Sequence, residues 1–210
     1  MARADGAELR VPLGSIDASA NVKSWLEIRG AYLVRQQWDI SCGAAALSTI
    51  LTHDFHANRS ELAVAISMLA NADPAVVRAR GGFSLLDLKR YANAVGFVAD
   101  GYGGMSLNDL EMAGAPAILP VRIRALDHFI VFRERIAGKV LIGDPAFGNL
   151  LLPERQFLDM WKSRIALLIR PAQLNMRYEP LSLDRMQLPI PDLNHVYRVS
   201  RGAGELPGVR

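Results

Sequence analysis

The 210-residue chain is half hydrophobic and about a fifth charged, an ordinary globular balance, and it is long enough to bury a full core. Its net charge of +3 is small and its basic residues are scattered, which excludes the electrostatic footprint of a nucleic-acid binder. A single cysteine excludes an internal disulfide and a multi-cysteine zinc site, and no apolar run nears the roughly 18 residues of a membrane helix.

Near the N-terminus, Ala2-x-Ala4 resembles the end of a secretory signal cut before Asp5. This predicts an exported, periplasmic protein, with a native cytoplasmic start as the alternative. Residues 1–30 show no clear period and read as an extended lead-in. From Ser41 the pattern turns helical, Cys42-Gly-Ala-Ala-Ala-Leu-Ser-Thr-Ile-Leu, with Asp39 or Ser41 available as N-cap. Asn58 with Glu61 reads as a capping box ahead of Leu62–Ile66, and Ser84 with Asp87 repeats the device ahead of Leu88–Val95. Gly96 stands where that helix should end, and Ser106 with Asp109 opens a shorter one.

After Pro116 the period changes from helix to strand. Ala117–Ile123, His128–Arg133 and Val140–Ile142 are short runs rich in β-branched residues, the last two joined by a hairpin turn at Ala137-Gly138-Lys139. A brief helix over Glu154–Trp161 precedes a strand over Ile165–Arg170. Helices first and strands second predict one α+β domain over residues 31–170. The proline-containing tail, 171–210, shows no sustained period and is expected to wrap the surface or lack order.

Cysteine chemistry follows from position. At the first turn of a helix, unpaired amides and the helix dipole favour thiolate over thiol, which suits Cys42 to a nucleophile's role. Gly43 is expected to leave room for a substrate backbone beside it, and Ala44-Ala45-Ala46 to let the helix pack closely on a sheet. Gln36, a few residues upstream, carries a side-chain amide able to donate to a developing oxyanion alongside the Cys42 backbone amide. A surface polar role is the alternative for Gln36.

Of four histidines, His53 and His56 lie more than two turns along from Cys42, too far to touch its sulfur at about 1.5 Å of rise per residue. His195 falls in the tail. His128, at the start of an apolar strand, is the remaining base. Asp144 ends the partner strand of the predicted hairpin and so returns beside His128, where it can orient the imidazole. Asp127 is the rival orienter, but adjacent strand residues face opposite sides, so it is expected to point away.

Taken in order, Gln36…Asp39-Ile40-Ser41-Cys42-Gly43-Ala44, then Asp127-His128-Phe129-Ile130-Val131, then Gly143-Asp144-Pro145-Ala146-x-Gly148, resemble the bacteriocin-processing, double-glycine cysteine peptidases. The likeness runs from Tyr32 to Arg170 and takes in Gly82-Phe83-Ser84-Leu85-Leu86-Asp87-Leu88, Phe157 and Trp161. It implies a papain-like fold, no cofactor, and cleavage after Gly-Gly in a leader or precursor peptide. By position it implies Cys42 as nucleophile, His128 as base, Asp144 as orienter and Gln36 as oxyanion donor. Many family members are domains of peptide exporters. Without membrane spans or a nucleotide-binding motif, this chain is more similar to the stand-alone exported type of functional-amyloid (Fap) systems, with an exported amyloid or bacteriocin-like precursor as partner. Two other readings stay open: a substrate-binding module that has lost catalysis, and a papain-like acyltransferase or amidase, which shares the acyl-enzyme.

Overall fold

Strict alternation of apolar side chains builds the sheet in a computed structural model of the chain, which describes residues 7–13, 16–22, 25–173, 178, 181 and 182. On β4 (Ala117–Ile123), Ala117, Leu119 and Val121 face one core cluster while Ile118 faces another. The same split runs along β5 (Leu126–Ile136), with Ile130 and Phe132 on one side and Val131 on the other. It recurs on β8 (Ala166–Pro171), between Ala166 and Leu168 on one side and Leu167 and Ile169 on the other. A sheet apolar on both faces must be covered on both.

The sheet has six antiparallel strands in the order β3-β8-β4-β5-β6-β7, where β3 is Phe97–Tyr102, β6 Lys139–Asp144 and β7 Gly148–Pro153. One face carries α2 (Cys42–Thr49), α3 (Glu61–Leu69), α4 (Pro74–Arg80) and α5 (Leu85–Ala94). The other carries α6 (Leu107–Met112) and α7 (Glu154–Met160), anchored by the buried Phe157 and Trp161. This is the expected α+β arrangement.

Three local expectations are corrected. The lead-in is not simply extended: β1 (Ala7–Leu13) and β2 (Ile16–Val22) form a two-stranded hairpin, followed by α1 (Trp25–Gly30). The cap of α3 is Ser60, whose Oγ accepts from the Ala63 amide, not Asn58; Glu61 turns inward instead of closing a box. Gly43 serves packing rather than substrate access, because a Cβ there would meet Phe129 at 3.1 Å and Leu88 at 3.3 Å. By contrast, the boxes at Ser84/Asp87 and Ser106/Asp109 form as read. The turn after β5 also forms, with Ala137 and Gly138 both at positive φ as a type I′ hairpin requires.

Of the tail, Tyr178 packs against Phe55 and Leu181 is buried, so these two residues belong to the folded body. His195 and the Ala2-x-Ala4 stretch lie outside the described residues. Among the described residues no single helix is long and apolar enough to cross a membrane.

Candidate active site

Cys42 is the first residue of α2, a helix so rich in alanine that it lies flat in the core; Ala44, Ala45 and Ala46 are all fully buried. Ser41 occupies the N-cap position, but its hydroxyl makes no bond to the helix amides. It sits between the Trp38 carbonyl oxygen, at 2.7 Å, and the Glu61 carboxylate. The amides of the first turn therefore keep no side-chain cap and remain available to negative charge at the Cys42 sulfur or at an oxyanion beside it. Cys42 itself is a free thiol, 7% exposed.

His128 and Asp144 meet as the hairpin geometry requires. Pairing of Val131 with Gly143 brings the end of β6 back beside the start of β5. His128 Nε2 and Asp144 Oδ1 are 2.9 Å apart, with side chains 11% and 1% exposed. With Nε2 held by the carboxylate, Nδ1 is the ring nitrogen left to face sulfur, and the imidazole does interact with the Cys42 side chain. Burial disfavours the charged ring. The hydrogen bonds and charges of Asp144 and Cys42 outweigh it and hold the His128 pKa up to about 9. Asp127, the rival, is 82% exposed and pairs with Arg122 at 3.3 Å on the surface.

The Asp144 carboxylate is itself positioned by its own turn. Oδ1 also accepts from the amides of Ala146 at 2.8 Å and Phe147 at 3.1 Å. Pro145 fixes that turn, and its carbonyl accepts from the Gln36 backbone amide at 3.0 Å. The segment carrying the expected oxyanion donor is thus tied directly to the residue beside the orienter. The Gln36 side-chain amide makes only a long contact, 3.5 Å to the Trp38 carbonyl. All four expected site residues are therefore gathered at one end of the sheet.

His53 and His56 stand apart, at and beyond a π-helical turn, Ile50–Asp54, that extends α2. Burial first, then the positive charges of Arg133 and His56, lower the His53 pKa to about 4. Beside it, Arg133 Nη1 donates to both carboxylate oxygens of Asp54, each at 2.8 Å, and both side chains are 1% exposed. A third bond runs from Arg133 to the Tyr32 carbonyl at 3.1 Å. This buried pair fastens the far end of the nucleophile's helix to the strand of the histidine. No group of three His, Cys, Asp or Glu able to hold a metal occurs among the described residues.

A family model described as the peptidase C39 family matches residues 31–173. The chain belongs to that family. Membership places it among the cysteine peptidases, and the match covers the six-stranded sheet and every helix from α2 onward. Two relatives are each named as a probable functional amyloid protease FapD. That of Pseudomonas aeruginosa is 44% identical over 140 residues, and that of Pseudomonas fluorescens 42% over 140. Each alignment takes in 67% of this chain but 61% of the relative's length.

Solved C39 peptidase domains share the papain-like fold. The peptidase domain of Streptococcus ComA, a bi-functional ABC transporter involved in a quorum-sensing pathway, superposes with a TM-score of 0.56 at 23% identity. It covers 66% of this chain and 97% of that domain. A double-glycine-motif protease from an AMS/PCAT transporter, solved with its leader peptide, gives 0.53 at 22% identity, covering 66% and 90%.

Several residues shape this C39 site in roles that the sequence alone does not assign. Gly148 closes the Asp144 turn at φ +94°, and a Cβ there would sit 2.7 Å from the Arg29 carbonyl oxygen. Its place in the Asp-Pro-Ala-x-Gly stretch was the available signal. The Arg35 and Arg29 guanidiniums donate to the carbonyls of Ala146 and Phe147 on the same turn. Asp54 and Arg133 carry no local signature and that of Glu61 points elsewhere, because their partners are set by tertiary contact.

Proposed function

We propose that this chain is a cysteine endopeptidase that cuts a leader or precursor peptide after a Gly-Gly pair, acting after export, in the periplasm of a bacterial secretion system. The observation that carries this reading is the Cys42–His128–Asp144 array at an uncapped helix start, with Gln36 held beside it. In that array Cys42 sulfur attacks the scissile carbonyl carbon, and the developing oxyanion is met by the Cys42 amide and the Gln36 side chain. His128 protonates the leaving amine, and water then releases the acyl group, with His128 as base and Asp144 holding its orientation.

A peptide substrate fits the surroundings. An apolar groove of about 410 Å³ begins at Ser41, next to the nucleophile, and is lined by Trp38, Ile40, Leu62, Ile66 and Phe83. Its walls offer apolar contacts to a substrate segment, so recognition extends beyond the cut bond. The names of the Pseudomonas relatives support an amyloid-system precursor as the partner, and the exporter-derived neighbours support small residues before the scissile bond. In a tight subsite each added methyl should cost about 1–3 kcal/mol of transition-state binding.

The test is a peptide series with Gly-Gly, Gly-Ala, Ala-Gly and Leu-Leu at the cleavage position, mapped by mass spectrometry with Cys42→Ala as control. Cleavage after the second glycine, falling with each added methyl, is expected. Equal cutting of the Leu-Leu peptide would refute the double-glycine reading. Binding of all four peptides without cutting would instead describe a cargo-holding module.

A further inference from the structure

Glu61 is a buried carboxylate that the reaction just described does not use. Its Oε1 accepts from the Gln37 backbone amide at 2.9 Å and also contacts the Ser41 hydroxyl, while Oε2 is buried with no hydrogen-bond partner among the described residues. These two partners bracket the segment that carries the oxyanion machinery. Gln37 follows the side-chain donor and Ser41 precedes the nucleophile. The Ser41 hydroxyl also lies 2.7 Å from the Trp38 carbonyl, the same oxygen that the Gln36 side-chain amide approaches at 3.5 Å. A connected path of polar contacts thus runs from Glu61 through Ser41 and Trp38 to Gln36. On its other side the Gln36 backbone amide donates to the Pro145 carbonyl at 3.0 Å.

Placing a carboxylate where one oxygen stays without a partner is costly. A loop of six residues has cheaper ways to be held, so the geometry needs a reason. We propose that Glu61 is a positioning residue for the oxyanion site: its reach sets where the Gln36 side chain stands when the carbonyl carbon becomes tetrahedral. The proposal rests on the peptidase reading above. It separates Glu61 from the Cys42–His128 pair, which is held by the His128–Asp144 bond across β5 and β6 and by the burial of α2 in the core. Substitution at Glu61 should therefore impair steps that build an oxyanion and spare steps that need only a thiolate.

Two variants divide reach from charge. Glu61→Asp keeps the charge and withdraws it by one methylene, whereas Glu61→Gln keeps the reach and an accepting oxygen but no charge. Each is compared with wild type in three measurements: the rate of Cys42 alkylation by iodoacetamide, protection of Cys42 by acetyl-glycyl-glycinal, and turnover of the Gly-Gly peptide. Folding is checked by circular dichroism. In the aldehyde adduct, sulfur bonds to the carbonyl carbon, the C=O π pair moves onto oxygen, and that oxygen takes the thiol proton through His128. A displacement of the Gln36 donor on the ångström scale predicts that Glu61→Asp weakens aldehyde protection and lowers kcat by about 10- to 100-fold. KM and alkylation rate should stay unchanged, and Glu61→Gln should behave like wild type.

If Glu61→Gln loses as much as Glu61→Asp, charge rather than reach matters and the proposal is wrong. It is also wrong if Glu61→Asp keeps full aldehyde protection and turnover, or if its alkylation rate drops in step with kcat. A wild-type protein that neither binds the aldehyde nor cuts any peptide, while still alkylating readily, would remove the peptidase reading itself and this role with it.

Discussion

Removing Asp54 should unfold this protein more readily than any single change at its surface. The carboxylate receives two bonds at 2.8 Å from Arg133, both side chains are 1% exposed, and the pair joins the π turn after α2 to β5. Among the described residues, the guanidinium in Asp54→Ala keeps only its bond to the Tyr32 carbonyl, and Arg133 Nε is already buried without a partner. A buried charge stripped of its counter-ion costs about 3–5 kcal/mol. Against a typical total of about 5–15 kcal/mol, that is a large share of stability. With a urea m-value of about 2–3 kcal/mol/M for a domain of this size, the midpoint should fall by about 1–2.5 M. The double variant Asp54→Leu/Arg133→Met removes both charges and fills the space with apolar atoms, so it should recover most of the loss, within about 1–2 kcal/mol of wild type. Urea titrations followed by circular dichroism at fixed pH read all three proteins. A single-variant midpoint within a few tenths molar of wild type would refute the claim that this pair is buried and mutually dependent. So would a double variant less stable than the single one.

Asp144→Asn should leave folding intact and slow peptide turnover by up to about 10⁴-fold through loss of the productive tautomer, while Asp127→Asn should do little. Reversal of those two effects in steady-state assays would overturn the strand-facing assignment. The pKa of His128, raised to about 9, sets the sign of a pH effect. Its stabilising contribution is full below the ordinary imidazole value near 6.5 and is lost as pH rises through about 9. Urea midpoints of wild type should therefore fall between pH 7 and 10 more than those of His128→Ala, and peptide cleavage should decline over the same alkaline range.

Much of the site was legible because its residues report on local geometry. A cysteine after Ser41 at the start of an apolar helix, a histidine opening a strand and an aspartate closing the next strand define positions that a tight hairpin brings together. The two reciprocal caps at Ser84 and Ser106 were readable for the same reason, since donor and acceptor lie within one turn. Misreadings arose where a distant partner decided the outcome. Glu61 has the spacing of a capping acid after Asn58, yet Gln37 and Ser41 claim its carboxylate from another segment. Gly43 reads as clearance for a ligand, yet Phe129 and Leu88 fill that space. Strand β3, short and interrupted by Asp100-Gly101, gains its order from pairing with β8 rather than from its own pattern.

That pairing also governs when the enzyme comes into being. Strands β3 and β4 are neighbours in the chain but not in the sheet, because β8 lies between them. Leu167 and Ile169 of β8 supply the floor on which the helices of the nucleophile's layer rest. A chain emerging from N- to C-terminus therefore carries Cys42 long before it carries the strand that completes the platform beneath it. Closure over such sequence distance places folding in the slower, millisecond-to-second range of small domains. In chain order the thiol therefore comes early and the strand that finishes its surroundings comes late.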